Sequence, residues 1–392
     1  MIRRSVIPGV ATVALYVTAL AVACPALAGH LVYTNDNNVP DNTVTAFSVA
    51  TDGSLTNLGQ FPTGDHGCGF SGFYASREAK ISKNGDFVLA VNDCGTSVSV
   101  FSGASTGALV LVAKIPAQTS PPGTSIATDG KCLVFGFVSG DVSSFLFPKL
   151  TPVNTVNVGS TVADMKIGKP GPNRYVAAAL PFGNEIAVIP LWPSTCELGT
   201  PASIPTATTS QTVPVAPTGV DFSPGSDILY VGDANALGIT RVEAFSFPAG
   251  TPLPGSPFVY SSGQNSSTVL VSKNGQCLFV ANQDSGGISS IPMSRGIPGP
   301  TATFFPLSPA GSPPAVPVPA GIANDITGKM FYVAGEPFFT SFTTFAGTNT
   351  VTAEIIGEGC ALTESPTGPV ATGVELIPLV KGGIISSLTA FP

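Results

Sequence analysis

The chain has 392 residues, of which 43% are hydrophobic and only 10% are charged, a balance that excludes an intrinsically disordered protein. Its formal net charge is −7 and its Lys and Arg residues form no cluster, so binding to nucleic acid or to an anionic membrane is not expected. Glycine and proline, with 44 and 37 copies, stand between apolar runs, which is typical of all-β chains.

The N-terminal segment predicts a secretion signal. Arg3 and Arg4 precede an apolar run that extends to Cys24, and an Ala-x-Ala step ends at Ala28, which is the pattern of a cleaved signal peptide over residues 1–28. We expect cleavage after Ala28 and a secreted or periplasmic mature protein without membrane attachment. Two alternatives stay open: retention of the apolar run as a membrane anchor, and attachment of a lipid at Cys24.

A unit of β-like runs occurs seven times in the mature chain. Each unit has a short apolar run, a turn, a strongly β-like run, a polar loop, a third run and usually a fourth, and we name these runs a to d. Turns such as KNGD and TDGK precede run b, and Asn-Gly and Asp-Gly between apolar runs indicate hairpins. The portions from run b to run c read VYTNDNNVPDNTVTAF, FVLAVNDCGTSVSVF, CLVFGFVSGDVSSFLF, YVAAALPFGNEIAVIPL, ILYVGDANALGITRVEAFSF, CLFVANQDSGGISSIPM and MFYVAGEPFFTSFTTF.

This repeat predicts the fold. Each polar loop contains one acid, and successive acids lie 44 to 57 residues apart; a period near 50 with four strands per unit is typical of propeller blades. Convincing amphipathic helices are absent from the sequence, which excludes repeats built on helices. We therefore predict an all-β, seven-bladed β-propeller with four-stranded antiparallel blades, as a single domain over residues 29–392.

The two ends of the chain predict how the ring closes. The mature chain begins at a b run, LVYTNDNN, whereas its last segment, ATGVELIPLVKGGIISSLTAF, fits an a run. We expect the C-terminal segment to pair with the N-terminal blade, because this pairing removes an open sheet edge.

The repeat resembles a known family. The stretches VYTNDNN…NTVTAF, VND…TSVSVF and LFVANQDSGGISSI are similar to the lactonase, or YVTN-type, seven-bladed propeller repeat (6-phosphogluconolactonase-like). The resemblance implies hydrolysis or formation of a small lactone in the central pocket. Active members carry a G-P-H-P-H step before an inner strand, whereas the equivalent steps SREAKIS, PPGTSIAT, APTGVDFS, PAGIANDI and VATGVELI contain no histidine. The family's catalytic residues therefore have no counterparts by position.

The six cysteines of the mature chain are predicted to form three disulfides. In a propeller, a–b turns and c–d turns lie on one face, while b–c loops and d–a connections lie on the other. Four cysteines fall in an a–b turn or in the c–d turn of the next blade, and two fall in a d–a connection and the following b–c loop. The predicted pairs are Cys132–Cys196, Cys277–Cys360 and Cys68–Cys94.

The seven loop acids are candidate ligands. Placed one per blade, they would form an acidic rim that binds a cation or a positively charged ligand, and Ca²⁺ or Mg²⁺ suits carboxylates near the axis. The alternative is that each acid stabilises its own turn. The metal is not specified by the sequence, and no cofactor is required. The rim acids are Asp36, Asp93, Asp141, Glu185, Asp233, Asp284 and Glu336.

The long d–a connection TGDHGCGFSGFYASREAK, residues 63–80, is the candidate catalytic loop. Long loops at the mouth of a propeller tend to carry binding or catalysis. His66 is a candidate general base, and Arg77 with Glu78, or Arg77 with His66, could supply the base and the cation that ester hydrolysis needs. The alternative for His66 is a solvated loop residue without a role.

Charged residues on the aligned a runs predict two ion pairs between adjacent blades. Lys80 neighbours Glu375, and Lys166 neighbours Asp221. We interpret both pairs as structural. A buried pair by itself is weak evidence for stability, but the loss of one partner could cost about 3–5 kcal/mol if the pair is fully buried.

Two functions follow from these observations. The first is an exported lactonase-like hydrolase. The second is a non-catalytic exported scaffold that binds a small-molecule ligand or a protein partner at the face of the b–c loops. In both cases we expect a monomer that binds neither nucleic acid nor, after signal cleavage, a membrane.

Overall fold

The computed structural model describes most of the chain from residue 30 to residue 391. The described residues are 30–38, 40–67, 79–81, 85–92, 95, 97–116, 123–206, 216–234, 239–309, 317–325, 327–336, 338–341, 344–346, 349–372 and 387–391. The predicted signal peptide and Cys24 lie outside them. Among the described residues no helix has the length and hydropathy of a membrane-spanning segment.

The first three blades are four-stranded antiparallel sheets. Blade 1 contains β1 (His30–Asn35), β2 (Thr43–Val49) and β3 (Leu55–Pro62). Blade 2 contains β4 (Ala79–Ile81), β5 (Phe87–Asn92), β6 (Ser97–Ser102) and β7 (Val110–Pro116). Blade 3 contains β8 (Gly123–Thr128), β9 (Cys132–Phe137), β10 (Asp141–Leu146) and β11 (Thr151–Asn157).

In the other four blades two short strands share the outermost position. Blade 4 contains β12 (Asp164–Gly168), β13 (Tyr175–Leu180), β14 (Glu185–Trp192), β15 (Glu197–Leu198) and β16 (Ala202–Pro205). Blade 5 contains β17 (Ala216–Phe222), β18 (Ile228–Ala234), β19 (Thr240–Ser246), β20 (Thr251–Pro252) and β21 (Phe258–Tyr260). Blade 6 contains β22 (Ser266–Val271), β23 (Cys277–Asn282), β24 (Gly287–Ser294), β25 (Ile297–Pro298) and β26 (Thr303–Pro306).

Blade 7 carries an insertion, and the last strand of the chain returns to blade 1. Blade 7 contains β27 (Val318–Asn324), β28 (Met330–Glu336), β31 (Thr350–Ile356), β32 (Leu362–Glu364) and β33 (Val370–Ala371), with the hairpin β29 (Phe338–Ser341) and β30 (Thr344–Ala346) between its second and third strands. A short 3-10 turn covers Glu358–Cys360. The innermost strand of blade 1 is β34 (Ser387–Phe391). The predicted seven-bladed all-β propeller is confirmed.

The hydrophobic core lies in the seams between blades. The second strand of each blade is an almost uninterrupted apolar run, because it is covered on both faces by neighbouring blades. In β9 and β23 every residue is buried. Side chains alternate across a strand, so Val231 faces blade 4, where it packs in one cluster with Ala177 and Val188, while Tyr230 faces blade 6 and packs with Val280.

The innermost strands form a closed ring around the axis. Each contacts the innermost strand of the next blade, in the order β4, β8, β12, β17, β22, β27, β34 and back to β4. Among the described strands none pairs with these axial edges, and at two junctions an aspartate of the adjacent inner strand accepts a backbone N–H instead. Asp164 Oδ2 accepts the Val220 N–H at 2.9 Å, and Asp221 Oδ2 accepts the Val271 N–H at 2.8 Å.

The face formed by the a–b and c–d turns, the turn face, carries a repeated contact. At six junctions a side chain of the second strand reaches the c–d turn of the next blade. We call these junction contacts. They are Tyr33 Oη to Ala104 O at 2.5 Å, Phe87 with Phe147 at 5.5 Å between ring centroids, the disulfide Cys132–Cys196, Tyr175 with Phe247 at 5.7 Å, Tyr230 Oη to Gly296 O at 2.6 Å and the disulfide Cys277–Cys360.

Two of the three predicted disulfides are thus present, with Cα–Cα distances of 5.3 Å for Cys132–Cys196 and 5.8 Å for Cys277–Cys360. They occupy positions that aromatic or tyrosine contacts occupy at other junctions. The third predicted pair, Cys68–Cys94, lies outside the described residues.

The C-terminal strand β34 pairs antiparallel with β1, with Leu31 opposite Phe391 and Asn35 opposite Ser387. The predicted alignment instead placed Glu375 on this innermost strand. The strand that the structure describes begins twelve residues later, and Glu375 lies outside the described residues. That the pairing locks the ring remains a prediction.

Deletion of residues 387–392 should test this prediction. Removing β34 exposes the inner edge of β1 and breaks the backbone hydrogen bonds of five residue pairs, so we expect the free energy of unfolding to fall by about 3 kcal/mol or more. Urea unfolding of the mature and the truncated chain measures the difference. An unchanged unfolding midpoint would show that β34 does not lock the ring.

Replacing both Cys132 and Cys196 by Ser should lower the free energy of unfolding, because it removes the disulfide between blades 3 and 4. The bond closes a loop with a sequence separation of 64, and its loss should cost about 2–4 kcal/mol. Tyr230→Phe, which removes only a hydroxyl from an equivalent junction contact, should cost about 1 kcal/mol. Equal losses in the two variants would contradict the expectation that the disulfide contributes more to stability than the tyrosine hydroxyl.

Candidate functional site

The face formed by the b–c loops and the d–a connections, the mouth face, brings several predicted site residues together between blades 1 and 2. The first part of the candidate catalytic loop, residues 63–67, lies beside the b–c loop of blade 1. The Asn42 N–H donates to Asp65 O at 2.8 Å, and the Gly67 N–H donates to Asn38 O at 2.7 Å. Arg77 and Glu78 lie outside the described residues, so their roles stay predictions.

A network of amides and hydroxyls fills this junction. Asn42 Nδ2 donates to Asn35 Oδ1 at 2.9 Å and to Asn92 Oδ1 at 3.0 Å. Asn92 Nδ2 donates in turn to Ser97 Oγ at 3.0 Å and to Ser99 Oγ at 2.8 Å. Because each buried amide needs partners, this chain of bonds fixes the positions of the two loops relative to each other.

Asp65 is the carboxylate at the surface end of the network. It accepts a hydrogen bond from Ser97 Oγ at 2.5 Å and one from the His66 N–H at 2.9 Å. Partial burial acts to raise the pKa of Asp65, but these two hydrogen bonds and the nearby Lys114 charge lower it below its ordinary value. Lys114 Nζ donates to Gly64 O at 2.8 Å. The loop therefore holds an ionised carboxylate at neutral pH.

His66 is exposed at the surface of the mouth face. Its ring Nδ1 contacts the carbonyl oxygen of Pro40. A carbonyl oxygen only accepts hydrogen bonds, so Nδ1 carries the proton and Nε2 of the neutral ring carries the lone pair. The backbone of His66 is held at both ends, since its carbonyl accepts the Gly95 N–H at 2.9 Å. This arrangement presents Nε2 as a proton acceptor.

Asp36 is buried in the seam between blades 7 and 1, beneath the same loops. Thr34 donates to Oδ1 at 2.8 Å, while Thr43 and Thr45 donate to Oδ2 at 2.6 Å and 2.7 Å. Burial raises the pKa of Asp36 to about 6, against the opposing effect of the three hydroxyl hydrogen bonds. The carboxyl is directed at the threonines and not at solvent.

Asp233 has the equivalent position in blade 5. Arg241 Nε donates to Asp233 Oδ2 at 3.0 Å, and Arg241 Nη2 donates to Glu243 Oε1 at 2.6 Å. All three side chains are at most 3% exposed. Burial and then the nearby Glu243 carboxylate raise the pKa of Asp233 well above its ordinary value, although Arg241 opposes the shift. One guanidinium thus faces two carboxyls in the seam between blades 4 and 5.

The other described rim acids have local partners. Asp141 accepts hydrogen bonds from Ser139 and from Asn157, Glu185 accepts one from Ser203, and the exposed Asp284 accepts one from Asn265 at 3.3 Å. Asp93 and the side chain of Glu336 lie outside the described residues.

The described rim acids do not meet at one point. Within the described ranges, no group of three His, Cys, Asp or Glu side chains could hold a metal ion. Two acids lie in seams, and three bond to polar residues of nearby loops or outer strands, so the structure gives each a separate environment. Binding of Ca²⁺ or Mg²⁺ by the rim stays a prediction.

Lys166 and Asp221, charged residues of two adjacent inner strands, each contact a polar group. Lys166 Nζ lies 3.8 Å from Asp164 Oδ1, while Asp221 accepts the Val271 N–H. The predicted Lys166–Asp221 pair stays a prediction, and the side chains of Lys80 and Glu375 lie outside the described residues.

The Arg241–Glu243 partners of Asp233 and the Asn42–Asn92 network were not predicted from the sequence. The Arg241–Glu243 pair could have been found from the sequence. In RVEAF, Arg and Glu two residues apart place two charges on the same face of a largely apolar strand. The corresponding residues in blade 1 are Thr43 and Thr45. The Asn42–Asn92 network joins residues 50 positions apart, so no short stretch of sequence predicts it.

Comparisons with known proteins agree with the geometry. A family model described as lactonase, 7-bladed beta-propeller, matches residues 29–170, which confirms the resemblance to this family. No curated protein matches the chain.

Solved structures are similar over nearly the whole chain. A candidate 6-phosphogluconolactonase from Bacteroides uniformis superposes with a TM-score of 0.66 at 14% identity, covering 92% of this chain and 99% of that chain. Another from Bacteroides fragilis gives 0.65 at 15% identity, covering 94% and 100%. A functionally unknown protein from Desulfotomaculum acetoxidans gives 0.59 at 14% identity, covering 91% and 98%. At these identities the likeness shows the fold alone.

Stability should fall as pH rises through the pKa values of the buried carboxyls. Burial raises the pKa of Asp36 to about 6 and that of Glu354 to about 8, and the pKa of Asp233 shifts in the same direction. A carboxyl whose pKa is higher in the folded than in the unfolded chain contributes stability at low pH. This contribution is fully present below the pKa of the unfolded chain, about 4, and is lost as pH rises through the pKa of the folded state. The lowered pKa of Asp65 has the opposite effect: its contribution to stability is lost as pH falls, but only below about pH 4.

The free energy of unfolding should therefore decrease between about pH 5 and about pH 8. Glu354→Gln should reduce this decrease by on the order of 3 kcal/mol, and Asp36→Asn by a smaller amount. Asp284→Asn, at an exposed carboxyl, serves as the matched control and should leave the slope unchanged. If the free energy of unfolding of the wild type rose between pH 5 and pH 8, the raised pKa values of these buried carboxyls would be contradicted.

Proposed function

We propose that this chain, which resembles the lactonase type of seven-bladed propeller, is an exported hydrolase that opens a small lactone at the mouth face between blades 1 and 2. The single observation that carries the proposal is the orientation of His66. Its Nδ1 is held by the Pro40 carbonyl, so Nε2 is free to take a proton, and the ionised carboxylate of Asp65 is next to it in the chain.

The reaction needs few groups. His66 Nε2 removes a proton from water, and the resulting hydroxide attacks the lactone carbonyl carbon to form a tetrahedral oxyanion. The ring C–O bond then breaks, the electron pair stays on the departing alkoxide oxygen, and the His66 imidazolium returns the proton to it. The product is a hydroxy acid. Asp65 supports this step through the backbone, since its Oδ1 accepts the His66 N–H and so helps to hold the loop that presents the ring.

A cation is expected to stabilise the oxyanion. Arg77, eleven residues after His66 in the same connection, is the candidate for this role, and Glu78 is a candidate second base. The acidic side chains of the mouth face oppose a phosphorylated substrate. We therefore infer a neutral or cationic lactone, without a required cofactor.

The alternative function is a non-catalytic scaffold that binds a small ligand or a protein partner at the mouth face. The observation that favours it is the saturation of the polar network. Asn35, Asn42, Asn92 and Ser97 bond to one another and to Asp65, an arrangement that holds loops in place. A rigid mouth suits a docking surface as well as an active site.

Purified mature protein should open one or more small lactones in a pH-indicator screen. His66→Ala should lower kcat by about 10²–10⁴-fold, the usual contribution of a general base, and Arg77→Ala should also lower it. His30→Ala is the matched control, because His30 begins β1 on the turn face. It should leave turnover unchanged.

Three outcomes are decisive. Turnover that both histidine variants keep would remove His66 from the mechanism. No turnover of any lactone by a folded protein would favour the scaffold. Loss of turnover after metal chelation would give the rim acids a role in catalysis and contradict the metal-free mechanism.

A further inference from the structure

Glu354, in the third strand of blade 7, lies where the other six blades have a large apolar residue. It is opposite Phe331, near the start of the second strand. In the other blades the third-strand residue at this register is Phe or Ile, is at most 1% exposed and packs in the seam with the preceding blade. These residues are Phe47, Phe101, Phe145, Ile189, Phe245 and Ile291.

Glu354 is as buried as a core residue, with an exposed fraction of 5%. Its side chain faces blade 6, because Ile356, two residues on and so on the same face of the strand, packs with Phe279 and Leu307 of that blade. Within the part of the chain that the structure describes, no hydrogen bond or ion pair reaches the Glu354 carboxyl. Burial of a carboxylate without a partner is costly, so hydrocarbon would stabilise this seam better than Glu354 does.

A second carboxyl, that of Glu364, lies directly across from Glu354. β31 and β32 pair the two residues, and side chains at directly opposed positions of antiparallel strands share a face, with Cβ atoms about 5 Å apart. In three other blades the equivalent outer residue is apolar: Leu111, Pro152 and Pro252. Like charges opposite each other repel, so blade 7 replaces a favourable apolar pair by an unfavourable pair of acids.

The electrostatics of the pair show the same deficit of positive charge. Burial, and then the negative charge of Glu364, raise the pKa of Glu354 to about 8, and no described Lys or Arg opposes the shift. Glu364 Oε2 accepts the Ser308 N–H of blade 6 at 3.3 Å, so the pair stands at the junction of the two blades. Glu364 is half-buried, and this end of the pair therefore borders solvent.

We propose that Glu354 and Glu364 bind a divalent cation, Ca²⁺, in the outer part of the seam between blades 6 and 7. Ca²⁺ takes oxygen ligands at about 2.3–2.6 Å in a flexible geometry that includes water. Two oxygens on one Ca²⁺ are thus at most about 5 Å apart, which matches the spacing of opposed side chains in the ladder. The bound cation removes the repulsion between the carboxylates and supplies the partner that Glu354 lacks.

This site is separate from the rim acids and from the proposed hydrolysis. Glu354 and Glu364 lie on the outer strands of blade 7, whereas His66 and Asp65 lie between blades 1 and 2. The cation has a structural role, so chelation should lower the melting temperature while leaving any lactone turnover, measured well below that temperature, unchanged. The pH dependence expected for Glu354 is that of the cation-free protein, measured with a chelator present. Failure of either proposal leaves the other in place.

Titration with CaCl₂ tests the proposal on the mature protein after removal of metal by a chelator. Isothermal calorimetry should show saturable binding with a Kd of about 0.1–1 mM, the range of extracellular calcium modules. The melting temperature should rise with Ca²⁺ concentration once this exceeds Kd, because the cation binds the folded chain. Mg²⁺ should bind less tightly, since it demands a stricter octahedral shell. Absence of Ca²⁺ binding in the calorimeter would overturn the proposal.

Variants test the two ligands by the same titration. Glu354→Gln and Glu364→Gln should each weaken Ca²⁺ binding by about tenfold or more, because each removes one charged ligand. Glu354→Leu, which restores the apolar residue type of the other blades, should lose Ca²⁺ binding and melt no lower than the cation-free wild type. Two matched controls at exposed acids should bind Ca²⁺ as the wild type does: Glu358→Gln, in the turn before β32, and Asp284→Asn, on the mouth face.

Two further results would contradict the proposal. Ca²⁺ binding that Glu354→Gln and Glu354→Leu leave unchanged would show that the cation binds elsewhere on the protein. Loss of Ca²⁺ binding in Asp284→Asn, with binding retained in Glu364→Gln, would assign the cation to the acidic rim and remove it from the seam between blades 6 and 7.

Discussion

The structure depends on how the inner strands satisfy their axial edges. Within the described residues each innermost strand pairs with one other strand, so its axial edge would expose backbone groups. Polar side chains of an adjacent inner strand meet this need at the junctions of blades 4, 5, 6 and 7. Asp164 accepts the Val220 N–H and Asp221 accepts the Val271 N–H, while Asn324 donates to Val271 O at 2.7 Å. Neighbouring blades are thereby fixed to each other at the axis.

The same constraint organises the periphery. Once the axis is fixed, the blades meet in apolar seams, and at six junctions the turn face adds a contact from the second strand, by a ring pair, a tyrosine hydroxyl or a disulfide. The opposite ends of the second strands meet under the mouth face, where residues such as Asp36, Asn92 and Asp233 replace hydrocarbon. The turn face therefore joins neighbouring blades by junction contacts, and the seams under the mouth face bury carboxyls such as Asp36 and Asp233.

Much of the fold was predictable because each second strand is a buried apolar run bounded by a strong turn signal, as in KNGD before β5 and KNGQ before β23. The turns also fixed the register that gave Cys132–Cys196 and Cys277–Cys360. The innermost strand of blade 1 was harder, since VELIPLV and SSLTAF are both β-like and only long-range pairing with β1 selects the second.

The depth of the loop acids could not be read from their spacing. Asp233 continues the alternation of Leu229 and Val231 and enters the seam, whereas blade 6 places Asn282 there and Asp284, two residues on, is exposed. A shift of one or two residues in the position of the acid relative to the second strand thus decides whether its carboxyl is buried or solvated.

Amide hydrogen exchange at the inner strands tests this account most directly. If side-chain acceptors of adjacent blades close the axial edges, the N–H groups of Val220 and Val271 should exchange as slowly as those of the central strand β18, through global unfolding only. Exchange at these two positions as fast as in the exposed turns, while β18 stays protected, would show that the inner edges are open to water and would contradict the proposed ring of contacts.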